Sequence, residues 1–261
     1  MTRRLSLAVL GLAAAAGAVA FRLVGTRTTA GRRFDVGAVQ GSIALPAHAI
    51  NSSNAVLTAA SLVSFVVIGG LLVGVSVVRR RLDLAAAIAV TLAGSFATTE
   101  FLKSHLHQRA GAPGQLAHGF PSGHATVALA LGLSFVLVTP DRRRLVVATA
   151  AAVYAALMGA TLVFFAWHFP SDVGGGFCIA TAWAAAAAQL ARGPFDRGIR
   201  GRLVAAALVL VVVAAPAALY LRPGLSFSTT SPGRFWAAAA GIALVAAGCC
   251  AAFAYANAQK N

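Results

Sequence analysis

Charged residues are scarce in this sequence: only 10% of its 261 residues are Asp, Glu, Lys or Arg, and only 6 are acidic. A soluble domain usually carries about 25% charged residues, so a water-soluble globular protein is excluded. Cysteine is scarce too, and Cys178, Cys249 and Cys250 lie in apolar stretches, without the spacing of metal ligands or of a disulfide framework. Intrinsic disorder is excluded because 59% of the residues are hydrophobic.

Long apolar stretches are abundant and uncharged, except that Glu100 lies near the end of one of them, and each is long enough, or nearly so, to cross about 30 Å of hydrocarbon as a helix. They predict an all-α, polytopic transmembrane bundle of about eight spans that forms a single integral membrane domain over residues 1–261. The predicted spans are Leu5–Phe21, Ala55–Val78, Leu84–Leu102, Pro121–Pro140, Leu145–Trp167, Val173–Ala191, Leu203–Leu221 and Phe235–Gln259. The first span also resembles a signal peptide, but no polar cleavage region separates it from Arg22, so we expect a retained anchor.

The net charge of +15 arises from short basic clusters between the apolar stretches. This pattern is typical of membrane flanks rather than of nucleic-acid binding, so no nucleic-acid partner is expected. Placing the amino terminus in the cytoplasm puts most Lys and Arg residues inside, including the triplets at 79–81 and 142–144. In the outer segment between the first two spans, Arg32, Arg33 and Asp35 are expected to form a solvated surface.

Polar residues concentrate at four helix ends that share one membrane face. Consecutive spans alternate in direction, so the end of the third, the start of the fourth, the end of the fifth and the start of the sixth lie together. With the amino terminus inside, this face is extracytoplasmic. The polar residues there include Lys103, Arg109, Ser122, Gly123, His124, His168, Ser171 and Asp172.

The stretch Pro121-Ser122-Gly123-His124 predicts an anion site at a helix start. Proline presets φ at the first helical position, and the unpaired amides that follow it bind an anion together with the positive end of the helix dipole. Gly123 lets the anion approach the backbone, the Ser122 hydroxyl adds a donor, and His124 can carry a proton to a bound oxygen. Phosphate is the expected ligand.

The stretch from His168 to Asp172 predicts a reactive imidazole. Pro170 is expected to start a helix, with Asp172 in its first turn and within reach of His168. A carboxylate that accepts one ring N–H leaves the other nitrogen as a nucleophile or base. Lys103 and Arg109 would supply the cationic charge for phosphoryl transfer, although both also fit simple interfacial flanks.

The remaining polar residues have simpler interpretations. Glu100 is expected to pair with Lys103 three residues later. His105, His107 and His118 are expected to be solvated loop residues, because their spacing is not that of a zinc site. We therefore expect no metal and no cofactor.

Together, the P-S-G-H and H-x3-D motifs resemble the type 2 phosphatidic acid phosphatase superfamily, which includes bacterial membrane lipid phosphatases. The motifs of that superfamily have the form K-x6-R-P, P-S-G-H and S-R-x5-H-x3-D. Residues 121–124 match the second motif completely, and His168 and Asp172 match the end of the third. The resemblance covers about residues 84–192. It implies a six-helix phosphatase-like core at about 55–192, with extra helices at about 203–259.

The resemblance implies a metal-independent phosphatase in which His168 attacks phosphorus, Asp172 orients His168 and His124 protonates the leaving oxygen. The phosphate ligands that it implies are Lys103, Arg109, Ser122 and Gly123. It also implies a lipid phosphate or pyrophosphate substrate, such as polyprenyl pyrophosphate, phosphatidic acid or phosphatidylglycerophosphate. The enzyme would act among membrane lipids in a bacterial cytoplasmic membrane.

The sequence departs from the superfamily motifs in two places. Five residues rather than six separate Lys103 from Arg109, and the S-R pair falls on Thr161 and Leu162, so the arginine of the third motif is absent. Loss of one such donor typically costs about 2.7–4 kcal/mol of transition-state stabilisation. A non-catalytic lipid-phosphate binder or transporter therefore stays open as an alternative. A lipid phosphotransferase stays open as well, because transfer to an acceptor other than water would use the same residues.

Overall fold

The computed structural model describes residues 2–43, 65–106, 119–139, 141–191 and 232–258. These residues are helical apart from short turns and contain no β-strand, which confirms the all-α fold class. The helices are α1 (Arg3–Arg27), α2 (Thr29–Ile43), α3 (Phe65–Val78), α4 (Leu82–His105), α5 (Gly123–Val138), α6 (Asp141–Phe164), α7 (Pro170–Ala187) and α8 (Pro232–Asn257).

Within the described ranges, four helices are long and apolar enough to cross a membrane, namely α1, α4 and most of α6 and α8, whereas α3 and α5 are apolar but shorter. Large apolar side chains face outward from the bundle; Leu12 and Leu145 are each 73% exposed. Such a surface is costly in water and suits hydrocarbon, so the chain forms a helical membrane bundle. The predicted span Leu203–Leu221 and the first part of Ala55–Val78 lie outside the described residues.

Helix α7 packs against α1, α4, α5 and α8, and every residue from 170 to 181 is buried. Its three consecutive glycines make this packing possible. A methyl group on Gly174 would lie 2.6 Å from the ring of Phe21 in α1, and one on Gly176 would lie 2.8 Å from the carbonyl oxygen of Ser122. Small residues let membrane helices approach closely, and here they bring the start of α7 against the start of α5.

Helix α2 corrects the expectation of a solvated segment after the first span. Arg32 and Arg33 are exposed as predicted, but Asp35 is fully buried. Its carboxylate accepts two hydrogen bonds from Ser171 of α7. The sequence pattern missed this arrangement because α2 is too polar for a span and because the partner of Asp35 lies 136 residues away.

Arg3 ties three helices together at the other end of the bundle. Its side chain is 2% exposed. The guanidinium donates to the carbonyl oxygens of Ala188 (2.6 Å) and Ala191 (2.8 Å), beyond the end of α7, and to Oδ1 of Asn257 (2.9 Å) in α8. Carbonyl groups at a helix C-terminus lack partners within their own helix, and a cation there also complements the helix dipole. Arg3 is therefore a buried link between helices as well as a charged membrane flank.

Candidate active site

The chain turns sharply after α6, and this turn fixes the backbone of His168. Ala166 has a φ of 55°, in the left-handed region that residues with a side chain rarely adopt. The amide of Ala166 donates to the carbonyl of Val163, and the amide of Trp167 donates to the carbonyl of Leu162. These are the two hydrogen bonds of a Schellman helix end. The amide of His168 also donates to the Leu162 carbonyl, at 3.3 Å.

Asp172 lies in the first turn of α7, and its side chain faces His168. Its fully buried carboxylate accepts a hydrogen bond from the backbone N–H of Phe169 at 3.0 Å. Oδ2 of Asp172 also lies 3.9 Å from Nδ1 of His168. This distance is that of an ion pair and is longer than the direct hydrogen bond expected from the sequence. Nδ1 therefore faces the carboxylate, and Nε2 lies on the opposite side of the imidazole ring.

Helix α5 begins at Gly123 rather than at the predicted Pro121, because Ser122 caps it. The Ser122 hydroxyl oxygen accepts a hydrogen bond from the amide of Ala125 at 3.3 Å, as N-cap side chains do. The amide of Ser122 donates to the carbonyl oxygen of Asp172 at 3.0 Å, which corrects the expectation that this amide is free to bind an anion. The same hydrogen bond joins the P-S-G-H and H-x3-D motifs directly.

The ammonium group of Lys103, at the end of α4, lies beside the start of α5. A methyl group on Gly123 would lie 3.0 Å from Nζ, so glycine permits this approach. Nζ also donates to Oε1 of Glu100 at 2.9 Å, as their spacing predicts. The Lys103 side chain is 29% exposed and lies next to the positive end of the α5 dipole, a combination that favours an anion from solution.

His124 lies in the first turn of α5, partly buried beside Trp167, with the ring centroids 5.7 Å apart. Its charged or chargeable neighbours are His168 and Lys103. The structure thus brings most of the predicted site to one end of the bundle, and the catalytic and binding roles of these residues stay predictions. The residues brought together are Lys103, Ser122, Gly123, His124, His168 and Asp172.

Some residues that the sequence or its motifs assign to the site are not among those that the structure brings together there. Arg109, His107 and His118 lie outside the described residues, so their predictions stay open. Leu162, at the position of the superfamily's arginine, is fully buried in the apolar core. The hydroxyl of the neighbouring Thr161 donates to the carbonyl oxygen of Leu157 at 2.7 Å. Neither position supplies the cation that is missing from the third motif.

Two residues that line this region were missed by the sequence analysis. Gly119 packs against the facing atoms of His168 and Asp172. Asp35 binds Ser171, the residue before Asp172. The only sequence signal for Asp35 was an acid in a chain with few acids, and Gly119 had no signal that distinguished it from the other glycines.

Among the described residues, no group of three or more His, Cys, Asp or Glu side chains could hold a metal ion. In comparisons with known proteins, the model of the PAP2 superfamily matches residues 84–195. The matched segment runs from the first turn of α4 to a point beyond the end of α7 and includes both motifs. No curated protein and no solved structure matches the chain.

Proposed function

Because residues 84–195 belong to the PAP2 superfamily of type 2 phosphatidic acid phosphatases, we propose that this membrane protein hydrolyses a lipid phosphate or pyrophosphate at the extracytoplasmic face. Superfamily membership indicates a phosphatase-type enzyme. The observation that supports the finer proposal is the position of His168, which faces a buried carboxylate at the same end of the bundle as Lys103. Binding alone would need the anion site and no oriented nucleophile.

In the proposed first step, Nε2 of His168 attacks phosphorus, and the bond from phosphorus to the leaving oxygen breaks as the N–P bond forms. Protonated His124 gives its proton to that oxygen. The carboxylate of Asp172 orients the imidazole and stabilises the positive charge that the ring acquires. Because Asp172 is fully buried, this electrostatic effect is stronger than it would be in water.

In the second step, a water molecule attacks the phosphohistidine. His124, now neutral, accepts a proton from that water, and the N–P bond breaks to return its electron pair to Nε2. The charge on the phosphate oxygens faces Lys103 and the positive end of α5 in both steps, so the scheme needs no metal ion. Arg109 is a further predicted phosphate ligand.

The surroundings of the site favour a substrate that is anchored in the membrane. The ring of His124 lies beside Trp167, and the ring of Phe165 lies 6.4 Å from that of Trp167. Tryptophan in particular is enriched where membrane meets water. A phosphate headgroup could reach the partly exposed Lys103 while its acyl or prenyl tail stays in hydrocarbon. Polyprenyl pyrophosphate, phosphatidic acid and phosphatidylglycerophosphate all have this form.

The experiment is phosphate release by the purified protein from a panel of these three lipids in excess chelator. The unsubstituted protein should release phosphate, and His168→Ala should release none. His105→Ala is the matched control, because His105 is exposed and stacks on Phe101 at the end of α4, and it should keep the full rate. Release that depends on added metal would contradict the mechanism.

The replacement of the motif arginine by Leu162 favours a second candidate, a lipid-phosphate binder without turnover. Such a protein would bind the lipids of the panel and release phosphate from none of them. A phosphotransferase would instead release little phosphate in water alone and form a new phosphate ester when an alcohol acceptor is added. Phosphate release with and without an added alcohol, together with lipid binding by the same protein, therefore separates the three functions.

A further inference from the structure

We infer that Asp35, on helix α2, is a positioning residue for the pair formed by His168 and Asp172. The inference rests on the proposed function, because it assigns Asp35 a role in the turnover of that site. Asp35 lies outside residues 84–195, the segment that matches the superfamily. It would act through Ser171 and would not touch the substrate.

Asp35 holds the first turn of α7 with both carboxylate oxygens. Oδ1 accepts a hydrogen bond from the backbone N–H of Ser171 at 3.1 Å, and Oδ2 accepts one from the Ser171 hydroxyl at 2.6 Å. Both residues are fully buried. A buried carboxylate is costly unless hydrogen bonds or charges replace its lost hydration, so these contacts fix where Asp35 and Ser171 lie.

Ser171 connects Asp35 to the catalytic pair because it directly precedes Asp172. Asp172 uses its side chain to accept from the amide of Phe169 and its carbonyl to accept from the amide of Ser122. Two acids therefore hold the first turn of α7: Asp172, which belongs to that turn, and Asp35, which contacts it from α2. A shift of Ser171 would move the backbone of Asp172 and change its separation from His168.

The packing around Asp35 leaves little freedom for such a shift. A methyl group on Gly25 of α1 would lie 2.9 Å from Oδ2 of Asp35 and 2.9 Å from Cβ of Ser171. Helix α1 also carries Arg22, whose guanidinium carbon lies 5.5 Å from the ring centroid of Phe120, just before the P-S-G-H motif. Helices α1 and α2 thus contact the segments that carry both motifs, and Asp35 makes the hydrogen-bonded contact with the H-x3-D segment.

A positioning role and a merely structural role predict different kinetics. If Asp35 only stabilised the fold, its loss would lower the midpoint of thermal unfolding and leave the turnover of the folded protein intact. If it positions Asp172, kcat should fall while KM changes little, because the proposed phosphate ligand Lys103 lies on α4 and not on the first turn of α7. Measuring kcat, KM and the midpoint of thermal unfolding for the same variant therefore separates the two roles.

The experiment compares Asp35→Ala, Asp35→Asn and Ser171→Ala in the full chain, at a temperature where each variant is folded. Asp35→Ala should lower kcat about 10- to 100-fold, as expected for losing hydrogen bonds to a charged group, and change KM less than about twofold. Asp35→Asn keeps one acceptor oxygen and should recover part of the loss. Combining Ser171→Ala with Asp35→Ala should cost no more than Asp35→Ala alone. The matched control is Asp83→Ala, which removes an acid paired with the exposed Arg81 at the far end of α4.

A second readout does not depend on turnover. Diethyl pyrocarbonate modifies accessible imidazoles, and mass spectrometry gives the rate at His168 relative to the exposed His105 of the same molecule. The His168 side chain is 13% exposed, so a loosened turn in Asp35→Ala should raise this ratio several-fold. Unchanged kcat and an unchanged ratio would overturn the inference while leaving the proposed function in place. A raised ratio in a protein that hydrolyses no lipid phosphate would instead support the positioning and overturn the function. If Asp35→Ala does not fold, Asp35→Asn and Ser171→Ala decide by the same two readouts.

Discussion

Gly119 packs directly against the carboxylate of Asp172, so that a methyl group at position 119 would lie 2.6 Å from Oδ2. The same methyl group would lie 3.2 Å from Nδ1 of His168. The carboxylate belongs to a buried residue that is also bound to the Phe169 amide, so it cannot move away freely. The backbone just before the P-S-G-H motif is therefore one wall of the space around His168 and Asp172.

Gly119→Ala should for this reason lower kcat by about tenfold or more, because a misplacement of about 1 Å at a reactive group can cost about 100-fold. The measurement is the initial rate of phosphate release at saturating lipid. Gly70→Ala is the control, since nothing in the described part of the chain lies within 4 Å of a methyl group there. Equal rates for Gly119→Ala and the control would contradict the proposed geometry.

Removing the charge of Lys103 should lower kcat/KM, whereas removing the charge of its partner Glu100 should not. Lys103→Met keeps the apolar stem and removes the ammonium beside Gly123, so kcat/KM should fall about 100-fold. Glu100→Gln removes a negative charge 2.9 Å from Nζ and should leave kcat/KM unchanged or raise it by up to about threefold. If Lys103 is only an interfacial flank, neither variant will change the kinetics.

Arg3→Ala should destabilise the bundle without changing its chemistry. The substitution leaves the carbonyls of Ala188 and Ala191 and the side chain of Asn257 without their buried donor, a loss on the order of 3 kcal/mol. The midpoint of thermal unfolding in detergent should fall, while kcat of the folded protein should persist. The exposed Arg4 provides the control: Arg4→Ala should melt close to the unsubstituted protein, and an equal fall in both would refute a specific role for the Arg3 contacts.

The orientation of the chain can be tested with single introduced thiols. Arg143 and Arg33 are both exposed, and the basic-residue bias places them on opposite sides of the membrane. A membrane-impermeant maleimide should label Arg33→Cys in intact cells and Arg143→Cys only after the membrane is opened. The native Cys178, Cys249 and Cys250 are buried free thiols, which keeps the background low. The reverse labelling pattern would place the site in the cytoplasm.

The convergence of the site could be predicted from sequence because it depends on helix ends. Uncharged stretches locate membrane spans, and alternation of direction then puts Lys103, the P-S-G-H motif and His168 on one face. Proline next to polar residues marks the helix starts. These signals are local. They predict which helix ends meet, but they do not predict the distances between the side chains there.

The details that the sequence did not predict depend on contacts between residues far apart in the sequence, or on residues in a conformation or role that their type does not signal. Asp35 is buried by a partner in a helix far along the chain. Ser122 is the N-cap of α5, so the helix begins at Gly123, although Pro121 would permit a start two residues earlier. Ala166 adopts a left-handed conformation for which glycine is the usual signal, so the turn that holds His168 could not be read from residue type.

The packing of α1 against α7 also affects how the protein assembles during synthesis. Helix α1 is translated before α7, its main partner, and the five helices α2 to α6 of the described chain lie between them in the sequence. Membrane helices insert before they associate, so α1 waits in the bilayer until α7 emerges from the ribosome. The end of the bundle that carries His168 and Asp172 is therefore completed late in biogenesis, and a nascent chain interrupted before α7 would leave the face of α1 that packs on α7 exposed to lipid.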